Sequence, residues 1–370
     1  MINNQPSPGT AGDAPGRQPA TSESPVRPPR SRRLWQRSVL GAAAAAVSLT
    51  ALTFGAGAAH ADTVPHYNAY VTNGRTGTVN VVNTASNTIT DTIPVGLRPL
   101  GVAVTPDGTT AYVTNQNSNT VSVINTATNT VTATITGFNT PDAVAVGPYG
   151  QDAYVTNQTS NTVSVISTAT NTVTGTIPVG SNPVAVAVTP NGTTVYVVDN
   201  GSDDLSVIST ATGTVIGTIP VGLYPSGVAV TPNGNDVYVA NAGDGTVSAI
   251  GTATDTVFKT ITVGGSPRGV TVGPLGKALY VPNAAGAGAV GAGTVSVILT
   301  ATNTVTATIA AAGAPWDVAF TPDGNDAYVT STNAGVSEIS TASYTVTGTV
   351  AGYDNGPSSM VAINSHQQNS

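Results

Sequence analysis

Four residues of this chain have side chains suited to holding or transforming a polar molecule, and they share one local setting. Asp142, Arg268, Trp316 and Asp317 each take the first or second place after a proline, namely Pro141, Pro267 and Pro315. Two carboxylates, a guanidinium and an indole brought together could hold a cation or orient a polar ligand. Arg98 and Tyr224 stand on the other side of equivalent prolines, immediately before Pro99 and Pro225. These six residues are the candidate ligand-binding set. Asp142 and Asp317 are the weak candidates for a metal, and calcium is the ion such a pair would suit. No cofactor is called for, and no catalytic residue stands out.

Other chemistry is poorly supplied. The chain has no cysteine, which excludes disulfides, thiolate nucleophiles and cysteine metal sites. Of its three histidines only His66 and His366 lie outside the N-terminal segment, so a serine–histidine nucleophile or a histidine-rich zinc site is not expected. Asp199-Asn200-Gly201 and Asp203-Asp204 lack the spacing and terminal glutamate of a helix-loop-helix calcium motif and read as an acidic turn. Glu338 is expected to point to solvent.

The elements that position these residues follow a clock. Tyr70, Tyr112, Tyr154, Tyr196, Tyr238, Tyr280 and Tyr328 recur every 42 residues, with one interval of 48. Pro99, Pro141, Pro183, Pro225, Pro267, Pro315 and Pro357 keep the same time. Residues 99–140 show the unit: a short apolar strand at Val102–Val104, the turn Thr105-Pro106-Asp107-Gly108, then three more strands separated by polar loops. Pro and Gly at those turn places suit a tight type I turn. Four short strands per period of about 42 make one antiparallel propeller blade. Both faces of such a sheet carry Val, Ile, Ala and Thr, so each blade needs a neighbour on either side, and a closed ring supplies them. The repeated tyrosines are expected to fill the blade interfaces, because a residue present in every repeat serves the architecture rather than a site. The fold class is therefore all-β, a seven-bladed β-propeller of four-stranded antiparallel blades. Closure is legible at the ends: Met360-Val361-Ala362-Ile363 repeats the first strand of the unit and is placed to complete the blade begun by residues 66–95.

The N-terminal 61 residues differ. Residues 1–30 are rich in Pro, Gly, Ser and Thr; Arg30, Arg32, Arg33 and Arg37 follow, then an uncharged stretch from Ser38 to Ala59 and the small-x-small string Ala59-His60-Ala61. This order is that of a cleaved export signal, which divides the chain into residues 1–61 and a propeller over residues 62–370. Ser31-Arg32-Arg33-Leu34-Trp35 resembles the twin-arginine export motif, from which Gln36-Arg37 departs, so twin-arginine and general secretion both stay open. After cleavage five Lys and Arg face sixteen Asp and Glu, a net charge of −11. Nucleic acid is thereby excluded as a partner, and no membrane insertion is expected. The expected location is secreted, extracellular or at the cell surface.

The strings YVTN, TVSVI, VTPDG and NTVT together resemble the YVTN-repeat β-propeller family over residues 66–364. The resemblance implies a secreted or surface-layer setting and a cell-envelope protein or glycan as partner. It also implies that the Gly-x-x-Pro segments and the loops after YVTN share one face. Variation among the repeats concentrates there, including Tyr353, Asp354, Arg75, Asp199, Asp203, Asp204, Asp244 and the extra residues between Ala284 and Gly293. The leading expectation is a binding or interaction module acting through that face. The alternative is a metal-assisted hydrolase or lyase of the propeller-lactonase type, with a cation at the channel mouth.

Overall fold

The computed structural model describes residues 67–285, 293–350, 353 and 361–364. The export signal expected over residues 1–61, His66, His366, Asp354, Pro357, Met360 and most of the extra segment of the sixth repeat lie outside the described residues. The rest forms seven separate antiparallel sheets. Blade II is typical, with strands Pro99–Val104, Thr110–Asn115, Thr120–Asn125 and Thr130–Thr136. Blades III, IV and V repeat it over residues 141–178, 183–220 and 225–262. Blade VI spans residues 266–310 and blade VII residues 314–349. Blade I takes three strands from residues 68–94 and its innermost, Val361–Ile363, from the far end of the chain. Ala69, Tyr70 and Val71 pair with Ile363, Ala362 and Val361 in antiparallel register. The expected closure is thus observed, and it pairs an edge that would otherwise be open.

The middle strands explain the composition. In Thr110–Asn115 every residue after the first is buried, on both faces, because blades pack on either side. Small and β-branched side chains suit that geometry. One interface cluster joins Tyr112, Val121 and Val123 of blade II to Val144, Ala153, Val155 and Ile166 of blade III. The fourth strand of each blade is largely exposed and rich in threonine. A bulge opposite Val123 and Ile124 twists it, which with the polar side chains guards the outer edge.

The repeated tyrosines are buried, as expected, and the hydroxyls of five of them tie successive blades together. Tyr112 donates to Asn171 Oδ1 at 2.7 Å, Tyr196 to Asp255 Oδ1 at 3.0 Å and Tyr238 to Asn303 Oδ1 at 2.8 Å. Each acceptor sits in the next blade, at the left-handed residue of the turn between third and fourth strands. Tyr70 reaches Asn129 at 3.0 Å, and Tyr328 closes the circle on Asn87 of blade I at 2.8 Å. Asn accepts a positive φ more readily than most residues, so one side chain both makes the turn and clasps the neighbour. Glu338 departs from expectation: its Oε2 accepts from Asn87 Nδ2 at 2.8 Å, which holds it in the seam between blades VII and I rather than free in solvent.

Candidate active site

The innermost strands surround a central cavity of about 690 Å³. That lies within the roughly 300–1,000 Å³ usual for small-molecule sites. Its wall includes Arg98, Asp142, Arg268, Trp316 and Asp317, five of the six residues singled out in the sequence. Tyr224, the sixth, is 62% exposed and is not part of that lining; it sits on a loop shoulder where its backbone N–H donates to Asp203 Oδ1 at 2.7 Å. Asp203 therefore acts in a turn, as the sequence of that acidic segment suggests.

The repeat proline begins the inner strand of blades II to V and is the second residue of it in blade VII, and in these blades the pairing slips just after it. In blade III the register shifts between Pro141 and Val144, and in blade VII between Pro315 and Asp317. Such bulges re-aim side chains, here those of Asp142 and Asp317. In blade VI the inner strand is broken outright into Ser266–Pro267 and Thr271–Val272, which leaves Arg268 between the pieces. Close approach of the inner strands needs glycine at two places. A Cβ on Gly101 would stand 2.6 Å from the Asp142 carbonyl oxygen, and one on Gly269 would stand 3.0 Å from Asp317 Oδ1. Side-chain hydroxyls also pin the inner strands to their neighbours: Thr72, on the second strand of blade I, donates to the Leu100 carbonyl at 2.8 Å, and Thr271 to that of Val318 at 2.7 Å.

Asp142 is 8% exposed. Burial pushes its carboxyl up to about 7, and the charge of Arg98 in the adjacent blade pulls the other way without prevailing. Desolvation disfavours the ionised form, so this carboxyl titrates near neutrality. Its Oδ2 accepts from Gln158 Nε2, and Gln158 Oε1 in turn accepts from Gln116 Nε2 at 3.1 Å. Asp317 is raised to about 6, again chiefly by burial, and is partly offset by the backbone N–H groups of Val361 and Val318. Its Oδ2 takes the Val361 N–H at 3.1 Å, so this carboxylate is anchored to the closing strand. Arg268 lies over the Trp316 ring at 5.0 Å from its centroid, and its buried Nε has no hydrogen-bond partner. A stacked guanidinium with an unspent donor is suited to an anionic or strongly polar group of a ligand.

A divalent cation held by Asp142 and Asp317 would need their carboxylates to converge. These residues belong to blades III and VII, three steps apart round a ring of seven. Each carboxylate is already engaged by donors of its own wall. Among the described residues no three His, Asp or Glu side chains gather as a metal site. Two such carboxylates do not supply the roughly six to eight convergent oxygens that calcium takes.

Sequence reasoning missed Gln116 and Gln158. The signal was present, because glutamine follows the repeated Tyr-Val-Thr-Asn string at 116 and 158, while the equivalent places hold Gly74, Asn200, Ala242, Ala284 and Thr332.

Residues 101–216 match a family model described as lactonase, 7-bladed beta-propeller. That stretch contains Asp142, Gln116 and Gln158. Among solved structures the chain is similar to hydrazine synthase of Kuenenia stuttgartiensis, with 25% identity, a TM-score of 0.61 and coverage of 65% of this chain and 76% of that one. It shares its fold with a functionally unknown protein from Desulfotomaculum acetoxidans, at 18% identity and TM-score 0.71, over 80% of this chain and 98% of the other. It also shares its fold with dihydro-heme d1 dehydrogenase NirN, at 15% identity and TM-score 0.58, over 76% and 62%. No curated protein sequence matches. These findings correct the leading expectation of a binding or interaction module. The matched family model is that of lactonases and hydrazine synthase is named as an enzyme, so the enzymatic alternative is the better supported.

Proposed function

We propose that the chain is a propeller enzyme that opens a cyclic ester with water in the central cavity. The observation that carries this reading is Asp142, a carboxyl buried in the cavity wall and raised to about 7. A general base works best when its pKa lies near the working pH. The lactonase match over residues 101–216 supports the substrate class.

In this reading ionised Asp142, oriented by Gln158 and Gln116, takes a proton from water as its oxygen adds to the lactone carbonyl carbon. Arg98, in the adjacent blade, meets the oxyanion that forms. Collapse breaks the ring carbon–oxygen bond, and Asp142 returns the proton to the leaving alkoxide, giving the open hydroxy acid. Trp316 supports the ring of the substrate, and Arg268 pairs with an anionic substituent. No step passes through a cation.

The test is pH-stat hydrolysis of a panel of five- and six-membered lactones, with and without a carboxylate or phosphate substituent. The expected kcat/KM rises as Asp142 ionises, on a limb with a midpoint about 7, and is insensitive to EDTA. Asp142→Asn lowers it by roughly 10²-fold or more, the usual contribution of a general base. Wild-type rates in the Asp142→Asn variant would remove the reading.

The export signal and the YVTN-type repeat support placing this activity outside the cytoplasm. Mass spectrometry of protein recovered from culture medium is expected to show a mature N-terminus at Asp62. Retention of full-length chain inside cells would speak against it.

A further inference from the structure

The tyrosine clasp between blades fails at two seams. Opposite Tyr154 of blade III the turn place that elsewhere holds Asn or Asp is Gly213, and opposite Tyr280 of blade VI it is Tyr344. The same two blades depart from the repeat a second time. Blades II, IV, V and VII carry Thr-Pro-Asp/Asn-Gly in the turn after the inner strand, at 105–108, 189–192, 231–234 and 321–324. Blades III and VI carry Gly147-Pro148-Tyr149-Gly150 and Gly273-Pro274-Leu275-Gly276. The threonine hydroxyl that bonds the turn elsewhere, as Thr189 does to Asn191 Oδ1 at 2.7 Å, is missing in both. At each of these places, and on matching residues, a pocket of about 180 Å³ opens between blades. Loss of the threonine, a large apolar side chain at the turn apex and loss of the clasp acceptor therefore occur together, twice.

We propose that the pocket between blades VI and VII is a second ligand site, for a small uncharged aromatic molecule bearing one hydrogen-bond acceptor. Its walls are Pro274, Leu275, Ala278, Phe320 and Tyr344. Tyr280 lines it at 1% exposure, packed edge-on to Phe320 at 4.8 Å, and its buried hydroxyl has no partner. An apolar cavity of about 150 Å³ accepts benzene, so the size fits a single ring. One unmet donor among apolar walls selects an acceptor on that ring and fixes its orientation. Lys277 is the one charged lining residue and is exposed, so nothing favours a charge in the interior. Tyr344, partly buried, lines the same pocket and is the side chain that would have to turn aside to give the ligand access to the hydroxyl. The counterpart pocket of blade III sets Gln151, Asp152 and Thr210 beside Pro148, Tyr149 and Val188, so its wall is more polar. The site shares no lining residue with the central cavity and stands independently of the proposed hydrolysis.

The experiment is saturation-transfer NMR of the whole protein with phenol, followed by titration. Phenol is expected to receive saturation from the wild-type protein. Tyr344→Asn installs the residue that clasps tyrosine at other seams; it is expected to abolish the transfer without lowering the melting temperature. Tyr280→Phe keeps the walls and removes the donor, and is expected to weaken binding roughly three- to tenfold, the worth of one hydrogen bond. Gly213→Asn and Trp316→Ala, at the other seam and in the central cavity, are expected to leave phenol binding unchanged. Absence of transfer to phenol at millimolar concentration would overturn the proposal. So would unchanged binding in both Tyr344→Asn and Tyr280→Phe, or loss of binding in Gly213→Asn or Trp316→Ala instead.

Discussion

Asp142 shows how a single residue can cost stability and serve chemistry at once. Its carboxyl titrates at about 7 when folded, against the ordinary 3.8. Between those values the folded protein holds a proton that the unfolded chain has released, so folding stability falls as pH rises through the window. Asp199 and Asp317, both raised to about 6, act in the same direction over a narrower range. Thermal melts are therefore expected to show a midpoint that declines from about pH 4 to about pH 7. Asp142→Asn should flatten the upper part of that decline and melt higher than wild type at about pH 8, even as its hydrolytic activity is lost. A lower melting temperature for Asp142→Asn under those alkaline conditions would contradict the assigned burial cost. Asp142 was legible in the sequence as an acidic residue after a repeat proline. Its titration was not, because that depends on how completely neighbouring blades cover it.

The same limit operates at the scale of the strand and turn. The spacing of the tyrosines and prolines revealed every blade, since an antiparallel meander is built from contacts close in sequence. The clasp of Tyr196 to Asp255 spans 59 residues and crosses from one blade to the next. It becomes visible only when the order of blades round the ring is known. The clasp makes a paired prediction. Tyr196→Phe removes a satisfied hydrogen bond and is expected to destabilise by about 0.5–1.5 kcal/mol in urea unfolding. Tyr280→Phe removes a hydroxyl that has no partner and is expected to be neutral or stabilising. Equal losses in the two variants would show that the hydroxyls do not tie the blades. Glu338 teaches a related lesson: as the one glutamate beyond the N-terminal segment it read as a solvated residue, yet Asn87, 251 positions away, brings it into a seam.

Across the whole molecule, stability and site depend on the same closure. Val361–Ile363 pairs with the start of the propeller, and Asn364 donates from its backbone to the Asn68 carbonyl and from Nδ2 to the Gly108 carbonyl, both at 2.9 Å. A chain ending at residue 360 would leave the inner edge of Asn68–Asn73 unpaired. It is expected to melt at lower temperature and to associate through that edge, as sedimentation or light scattering would show. A truncated chain that stayed monomeric with an unchanged melt would argue that the ring closes without its last strand. The Val361 amide also holds Asp317 in the cavity wall. Under the proposed hydrolysis, turnover would thus report on whether translation has passed Val361: a chain cut short of it lacks the amide that anchors Asp317 as well as the seal of the ring, so such copies would be silent rather than partly active.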